Sequence, residues 1–258
     1  LRMSRGLGDV YKRQALNKLY VIGIGPGEYE QMTLKAIHAM EKSEVIIGYT
    51  VYVDLVKEHF PGKEFLTTPM KKEVDRCVMA FEEAKKGKVV SMICSGDAGV
   101  YGMSGLMYEV GVNYPEVELE IIPGVTAATG GAAVLGAPLI HDFCLISLSD
   151  LLTPWEKIEA RLLAAAEADF VVCLYNPSSR KRSDYLQKAC DLMMQYKSPE
   201  TVCGIVSYIG RDGEHYEVMD LKTLRDTKVD MFTTVWVGNS QTKEINGKMV
   251  TPRGYRNV

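Results

Sequence analysis

The 258 residues are enough for two ordinary domains or one large one, and the 47% hydrophobic and 24% charged content is typical of a soluble globular chain. The formal net charge of −3 argues against a general nucleic-acid-binding surface, and no apolar run is long enough to span a bilayer. The six cysteines include no C-x-x-C pair and the four histidines no metal-ligand spacing, which predicts reduced thiols in a cytoplasmic protein and no metal site.

The chain opens with a segment that we exclude from the fold. Residues 1–17 lack an initiator methionine and any usable periodicity, and we interpret them as a disordered leader or scar. The first predicted strand is Lys18–Ile22, and the loop Gly23–Gly27 follows it. Because Pro26 fixes the backbone and removes a hydrogen-bond donor, this loop is predicted to be a rigid wall rather than a phosphate cradle.

Helices and strands are then predicted to alternate as far as Ile122, from the spacing of their apolar residues. The predicted helices are Thr33–Lys42, Val51–His59 and Lys71–Lys86, and the predicted strands are Val45–Ile47, Val89–Cys94 and Val117–Ile122. Such alternation indicates an α/β fold with a mostly parallel sheet that is covered by helices.

The loop Ser95–Met103 follows the buried strand Val89–Cys94 and contains three glycines and one carboxylate, that of Asp97. Glycines there let the backbone turn sharply and approach a ligand, and ligands of open α/β sheets bind at the carboxyl ends of strands. Asp97 can accept hydrogen bonds from a hydroxyl or an amine of such a ligand. The alternative is a tight connection in which Asp97 caps the next helix.

A second loop, Pro123–Ala133, is rich in small residues and marks a change in the character of the chain. A flat ligand or another part of the chain can lie against small residues. The segment therefore predicts either a binding role or a close packing contact between helices, and it is a candidate domain junction.

The next predicted strand, Leu139–Ser149, has a high density of polar side chains. These are His141, Asp142, Ser147 and Ser149, with Asp150 directly after them. A helix is predicted to follow, with Thr153 as its cap, Pro154 in its first position and Glu156 completing a capping box.

Phe170–Tyr175 is predicted to be a buried strand, and Asn176–Ser179 a third loop at a carboxyl end. The basic run Arg180–Arg182 is predicted to open the next helix, where positive charge opposes the helix dipole, so it favours either an anionic partner or a solvated face. The remaining predicted elements are the strands Val202–Tyr208, Tyr216–Met219 and Met231–Val237 and a turn at Gly210–Glu214.

Taken together, five segments resemble, in order, those of the tetrapyrrole methyltransferases that use S-adenosylmethionine. They are Gly23–Gly27, Ser95–Asp97, Pro123–Ala127, Tyr175–Pro177 and Thr234–Asn239. Three stretches, Ser95–Met103, His141–Trp155 and Gly238–Ser240, are similar to one branch of this family. That branch is the precorrin-3B or cobalt-precorrin-3 C17-methyltransferases of cobalamin biosynthesis, which methylate C17 and contract the macrocycle.

The resemblance implies two α/β domains, residues 18–127 and 128–258, with the cofactor in a cleft between them, and a homodimer. The donor would be S-adenosylmethionine and the product S-adenosylhomocysteine. Carried onto this sequence, the cofactor contacts would be Pro26, Gly96, Asp97, Val100, Thr126, Ala127, Asn176, Ile209 and Gly210.

Transfer of a methyl group from a sulfonium needs alignment and exclusion of water rather than a triad or a metal. The implied tetrapyrrole carries many carboxylates, so local cations are needed, and we assign this role to Arg180, Arg182 and Arg211 among nine candidates. The other six are Lys71, Lys72, Arg76, Lys181, Arg253 and Arg256. Ring contraction moves protons, and His141, Asp142 and Ser149 are the candidate catalytic residues, with Ser147 and Asp150 beside them.

Two other functions are open. The same fold could act on another precorrin position, on diphthine or on ribosomal RNA, although the acidic composition argues against RNA and the stretch His141–Trp155 against the last two substrates. A non-enzymatic dinucleotide-binding or tetrapyrrole-carrier module is the other alternative, and the intact loop Ser95–Asp97 argues against it. Whether the substrate already holds cobalt is also open.

Overall fold

The computed structural model describes residues 17–179 and 182–255, which form two compact units. The first unit comprises residues 17–24 and 32–124, and the second comprises residues 25–31 together with the described residues from 125 to 255. The leader prediction for residues 1–17 falls on 1–16, which lie outside the described residues, and on Asn17, which begins the first strand.

A parallel sheet forms the centre of the first unit. Its described strands are β1 (Asn17–Gly23), β2 (Val45–Tyr49), β3 (Glu64–Thr68), β4 (Val90–Cys94) and β5 (Val117–Ile122). Its described helices are α1 (Leu34–Lys42), α2 (Thr50–Val56), α3 (Glu73–Lys85) and α4 (Ser104–Gly111). The strand order is β3-β2-β4-β1-β5, and every pair is parallel, which confirms the predicted α/β fold for this unit.

The sequence explains most of these elements. All residues of β4 are buried, as expected for an apolar strand inside a parallel sheet, and α3 buries Cys77, Phe81 and Ala84 on one side. The Thr33 hydroxyl accepts a hydrogen bond from the Ala36 amide at 3.1 Å and so caps α1. Strand β3 was not predicted because it lies at the sheet edge and buries Thr68 alone among its residues.

The second unit holds a larger set of short elements. Its described strands are β6 (Gly136–Ala137), β7 (Phe143–Ser147), β8 (Val171–Tyr175), β9 (Val202–Ser207), β10 (His215–Asp220), β11 (Thr233–Val237), β12 (Lys243–Ile245) and β13 (Lys248–Val250). Its described helices are α5 (Ala127–Leu135), α6 (Trp155–Glu167), α7 (Tyr185–Met193) and α8 (Leu221–Asp226), with a 3-10 turn at Tyr29–Gln31.

The main sheet of the second unit is mixed, in contrast to the parallel sheet of the first unit. The strand order is β10-β9-β11-β8-β7, and only β7 and β8 form a parallel pair among its described strands. Strands β9 and β10 form a hairpin, and β11 then inserts antiparallel between β9 and β8. Strands β12, β13 and β6 form a separate small sheet.

Helix α6 begins one residue later than its capping signals predict. Pro154 has an extended backbone, with ψ at 142°, and is the residue before the helix rather than its first residue. No side-chain cap forms there, so the predicted capping box of Thr153 and Glu156 is wrong. The first helical residue is Trp155, whose ring centroid lies 4.5 Å from that of Tyr185 on α7.

The small residues of α5 serve close packing on the mixed sheet. A Cβ atom built on Gly131 would lie 2.3 Å from Cη2 of Trp236, which is fully buried on β11. Only a glycine lets the helix approach the indole this closely. This contact explains part of the small-residue stretch as a packing requirement.

None of the helices in residues 17–179 and 182–255 has the length and apolar character of a membrane span.

All six cysteines lie in the described residues and none is in a disulfide, and five of them are buried. Burial disfavours the thiolate, because a charge is poorly solvated in the core. It raises the pKa of Cys190 to about 12 and that of Cys94 to about 11. These thiols are therefore protonated packing groups at neutral pH.

Replacing Cys190 by alanine is expected to make the free energy of unfolding decrease less steeply as the pH rises above 9. The folded thiol keeps its proton up to about pH 12, whereas the exposed thiol of the unfolded chain loses it near pH 9. The stabilisation is therefore complete below pH 9 and falls as the pH rises from 9 towards 12, by about 1.4 kcal/mol per pH unit for each thiol.

The measurement is the free energy of unfolding by urea between pH 8 and 10.5 under reducing conditions. The free energy of unfolding should fall less steeply with pH for Cys190→Ala than for the unsubstituted protein, by the amount that corresponds to one proton. A Cys144→Ala control, at a partly buried thiol, should change this slope less. Equal slopes for Cys190→Ala and the unsubstituted protein would contradict the prediction.

Candidate active site

In the first unit the Asp97 carboxylate joins two loops at the carboxyl edge of the parallel sheet. Its Oδ1 accepts a hydrogen bond from the Gly99 amide at 2.7 Å, and its Oδ2 accepts one from the Gly124 amide at 2.9 Å. Helix α4 begins at Ser104 with Met103 before it, so the alternative that Asp97 caps the next helix is wrong. Asp97 instead fixes the loop after β4 to the end of β5.

Three glycine-containing loops meet around this carboxylate. A Cβ atom built on Gly23 would lie 2.6 Å from the Gly96 carbonyl oxygen and 2.7 Å from the Gly124 nitrogen. Backbones can approach this closely only where side chains are absent. The loops follow β4, β1 and β5, which are neighbours in the sheet, and this is the edge at which open α/β sheets bind ligands. Val100, half-buried, lies in the same loop.

In the second unit the Tyr175 hydroxyl fastens the end of β8 to the start of α5. It lies 2.5 Å from Thr126 Oγ1 and accepts a hydrogen bond from the Ala128 amide at 2.8 Å. Thr126 is the residue before α5 and makes no side-chain cap of its own, so the tyrosine satisfies an amide at the helix start. The positions of Thr126 and Ala127 therefore depend on Tyr175.

The loop that contains Pro26 is held by the segment after β9. Arg211 Nε donates to the Pro26 carbonyl at 3.0 Å, and the Arg211 guanidinium lies 5.5 Å from the ring centroid of Phe232. Within the same segment the Gly210 amide donates to Glu214 at 2.8 Å, and Ile209 is buried. Pro26, Ile209 and Gly210 are thus brought together, and Arg211 helps to hold them.

Arg182 lies at the centre of a hydrogen-bonded cluster beyond the carboxyl ends of β7 and β8. Its Nη1 donates to Ser149 Oγ at 2.6 Å and lies 3.3 Å from Asp150 Oδ1, and its Nε donates to Ser179 at 3.0 Å. The Tyr185 hydroxyl donates to Asp150 Oδ2 at 2.7 Å. That hydrogen bond, assisted by the charge of Arg182, lowers the pKa of Asp150. We call these five residues the Arg182 cluster.

Asn176 adjoins this cluster from the end of β8. Its side-chain amide donates to Ser147 Oγ at 2.9 Å, and the same oxygen accepts the Ser149 amide at 3.2 Å. The φ of Asn176 is 53°, in the left-handed region that asparagine tolerates better than most residues. The backbone conformation therefore favours asparagine at this position, and its side chain also makes the hydrogen bond to Ser147.

The structure does not bring the candidate catalytic residues together. Strand β7 spans Phe143–Ser147, so His141 and Asp142 precede it and Ser149 follows it. The strand alone separates its two ends by about 13 Å, at about 3.3 Å per residue. One reacting atom therefore cannot contact both His141 and Ser149.

The structure describes only one residue of the basic run 180–182. Arg180 and Lys181 lie outside the described residues. Helix α7 begins at Tyr185 after Asp184, so Arg182 precedes the helix, and the prediction that the basic run opens it is wrong for this residue. Among the described residues, no group of three or more His, Cys, Asp or Glu side chains is arranged to hold a metal ion.

Sequence reasoning missed the role of the Tyr175 hydroxyl, although Tyr175 lies in one of the motifs. The hydroxyl contacts Thr126 from 49 residues away, and no local pattern gives such a partner. The sequence gives no signal for it, because Thr126 at the start of α5 is itself a residue type that commonly caps helices.

Comparison with known proteins identifies the family. The sequence model of the Tetrapyrrole (Corrin/Porphyrin) Methylases matches residues 18–225. A probable cobalt-factor III C(17)-methyltransferase from Salmonella typhimurium is 49% identical over 238 residues, which are 92% of this chain and 99% of that one. A precorrin-3B C(17)-methyltransferase from a Sinorhizobium species is 38% identical, over 92% of this chain and 96% of its own.

Among solved structures, that of the methyltransferase CobJ has a TM-score of 0.85 and 33% identity, and the match covers 92% of this chain and all of that chain. The glycine loops around Asp97 and the start of α5 lie within the matched range. The chain belongs to the tetrapyrrole methylase family.

Proposed function

We propose that this enzyme methylates C17 of a tetrapyrrole of cobalamin biosynthesis, precorrin-3B or cobalt-precorrin-3, and contracts its ring, with S-adenosylmethionine as donor. The observation that carries the proposal is the similarity to chains named C(17)-methyltransferases along nearly their whole length. The chain is accordingly an S-adenosylmethionine-dependent C-methyltransferase.

The residues of the first unit suit the methyl donor. The glycine loops pack closely on one another at the carboxyl edge of the sheet, where Gly96 is buried and Asp97 and Val100 are half-buried. A carboxylate has about four acceptor sites. Asp97 uses one on each oxygen for Gly99 and Gly124, so it retains capacity for a hydroxyl or amine of the donor.

The other proposed donor contacts belong to the second unit. They are Pro26, Thr126, Ala127, Asn176, Ile209 and Gly210. Their positions are supported by the hydrogen bonds of Tyr175, Asn176 and Arg211 described above. When bound, the sulfonium supplies a methyl group and departs as a neutral thioether, so the residues around it need only hold the reactants in line and exclude water.

Substrate carboxylates are proposed to bind Arg180, Arg182 and Arg211. In the Arg182 cluster, Ser149 and Asp150 fix the guanidinium before a ligand arrives, which reduces the entropy lost on binding. Ser149 therefore acts by positioning Arg182. For proton transfer during contraction we propose His141, with Asp142 beside it, because an imidazole ring carries both a hydrogen-bond donor and an acceptor nitrogen.

We further propose that the enzyme is a cytoplasmic homodimer. The buried, protonated thiols support a reducing compartment, since they need no disulfide partner. The dimer rests on the family resemblance, and sedimentation of the purified chain tests it.

The substitution Asp97→Asn is expected to weaken binding of S-adenosylhomocysteine about tenfold or more. An amide offers one acceptor oxygen where the carboxylate offers two, so either Gly99 or Gly124 loses its acceptor, and charge-assisted hydrogen bonds are the stronger kind. Calorimetric titration measures the Kd. The control is Asp54→Asn, at an exposed residue paired with Lys57. A Kd within twofold of the unsubstituted protein would remove Asp97 from the donor site.

The substitution Tyr175→Phe is expected to lower the free energy of unfolding by about 1–2 kcal/mol, since the Ala128 amide loses its acceptor. The Kd for S-adenosylhomocysteine should rise several-fold, because Thr126 and Ala127 lose the group that fixes them. Tyr196→Phe, at a tyrosine that is 53% exposed, is the control for both measurements. Loss of stability with an unchanged Kd would show that Tyr175 has no part in donor binding.

His141→Ala and Ser149→Ala should separate proton transfer from substrate binding. We expect His141→Ala to slow ring contraction about a hundredfold, the lower range for loss of a general acid or base, with methylation less affected. Ser149→Ala should raise KM through Arg182 and leave kcat nearly unchanged. Mass spectrometry follows methylation and the absorption spectrum follows contraction. Unchanged contraction by His141→Ala would exclude His141 from the mechanism.

A further inference from the structure

We propose that Arg76 binds a carboxylate of the tetrapyrrole substrate. Arg76 lies on α3 and is only 5% exposed. Its Nε donates to Thr68 Oγ1 at 2.8 Å and its Nη2 donates to the Pro69 carbonyl at 3.2 Å. Both acceptors are neutral, and no carboxylate in residues 17–179 or 182–255 lies within 4.0 Å of the guanidinium. The structure therefore contains a buried cation without an acidic partner.

A buried cation of this kind is costly unless something compensates it. Arginine does not lose its proton in proteins, and buried charges are normally paired. The acidic residues nearest in sequence have other partners, since Glu73 accepts the Lys71 amide at 3.2 Å and Asp75 pairs with Lys72 at 2.9 Å. Since the described residues supply no anion for Arg76, we assign the compensating charge to a bound ligand.

The site lies at the edge of the sheet that carries the Asp97 loop. Thr68 ends β3 and pairs in register with Tyr49, which ends β2, and β2 is the neighbour of β4. Strands in a sheet are about 4.8 Å apart, so the end of β3 lies about 10 Å from that of β4. Arg76 is therefore a short distance from the proposed donor loops of the first unit.

The surroundings suit a flat anionic ligand. A guanidinium has five N–H donors in a planar fork that matches a carboxylate, and two of the five are used within the described residues. The Arg76 guanidinium lies 6.0 Å from the ring centroid of Tyr49, which packs edge-on to Tyr52 at 5.2 Å. A partly conjugated macrocycle with carboxylate side chains offers a face that can lie against Tyr49 and a negative rim that can pair with Arg76. This inference rests on the proposed function.

The test is binding of cobalt-precorrin-3 under anaerobic conditions, followed by absorption, alongside calorimetric titration with S-adenosylhomocysteine. Arg76→Met is expected to raise the Kd for the tetrapyrrole about tenfold or more, with the Kd for S-adenosylhomocysteine within twofold. Arg76→Lys should be intermediate, since a point charge replaces the fork. Thr68→Ala is the matched control, because it removes the hydroxyl that Arg76 contacts but keeps the guanidinium.

The outcomes are distinguishable. An unsubstituted protein that binds no tetrapyrrole overturns the proposed function and this inference with it. The inference alone is overturned if Arg76→Met leaves the Kd for the tetrapyrrole unchanged. It is also overturned if Thr68→Ala raises that Kd as much as Arg76→Met does. In either case Arg76 is a structural link. If Arg76→Met weakens binding of S-adenosylhomocysteine instead, Arg76 binds the carboxylate of the methyl donor, and the inference is overturned. If Arg76→Met does not fold, a tetrapyrrole Kd of Arg76→Lys equal to that of the unsubstituted protein overturns the inference.

Discussion

The two hydrogen bonds that the Asp97 carboxylate accepts hold together the loops at the carboxyl edge of the parallel sheet in the first unit. The amides of Gly99 and Gly124 are 25 positions apart in sequence, and one side chain holds both. Without the carboxylate, the part-buried Gly124 amide would lack an acceptor, which is costly, and the exposed Gly99 amide would lose a charge-assisted hydrogen bond. The glycines permit the loops to approach, and the carboxylate makes that approach the stable one.

The sequence predicts those strands and helices whose own pattern of apolar residues shows which of their residues are buried. Strand β4 and helix α3 are recognisable because their apolar residues repeat with the period of the element. Strand β3 buries only Thr68 and gives no such signal. The direction of a strand gives no such signal either, since every residue of β11 is buried and burial does not depend on whether the strand pairs parallel or antiparallel. Alternation with helices therefore predicted the parallel sheet of the first unit, whereas the mixed pairing in the second unit was not predicted.

The candidate site shows the same limit at the level of single residues. The motifs locate Asp97 and Tyr175, but their partners Gly124 and Thr126 lie 27 and 49 residues away. A motif also does not separate ligand contact from structure. Ser240, in one of the segments similar to the C17-methyltransferase branch, donates from its amide and hydroxyl to Asp169 at 2.9 and 2.6 Å. Its observed contacts are structural.

Arg76 and Lys197, which are both buried, show how ligand contact can be distinguished from a structural role. Lys197 is 6% exposed, donates to the carbonyls of Phe170 and Gly238 at 2.9 and 3.0 Å, and has Asp169 at 3.6 Å. Burial lowers its pKa, so the lysine can also reduce its cost by giving up its proton.

Arg76 has neither an acid within 4.0 Å among the described residues nor an accessible neutral form. A structural link between Thr68 and α3 would need only a neutral donor, and a permanent charge in that place adds a desolvation cost without adding a hydrogen bond. The cost is understandable where an anionic ligand offsets it on binding. Arg76 lies at the carboxyl edge of a parallel sheet, where such a ligand is expected, and Lys197 is instead compensated within the chain.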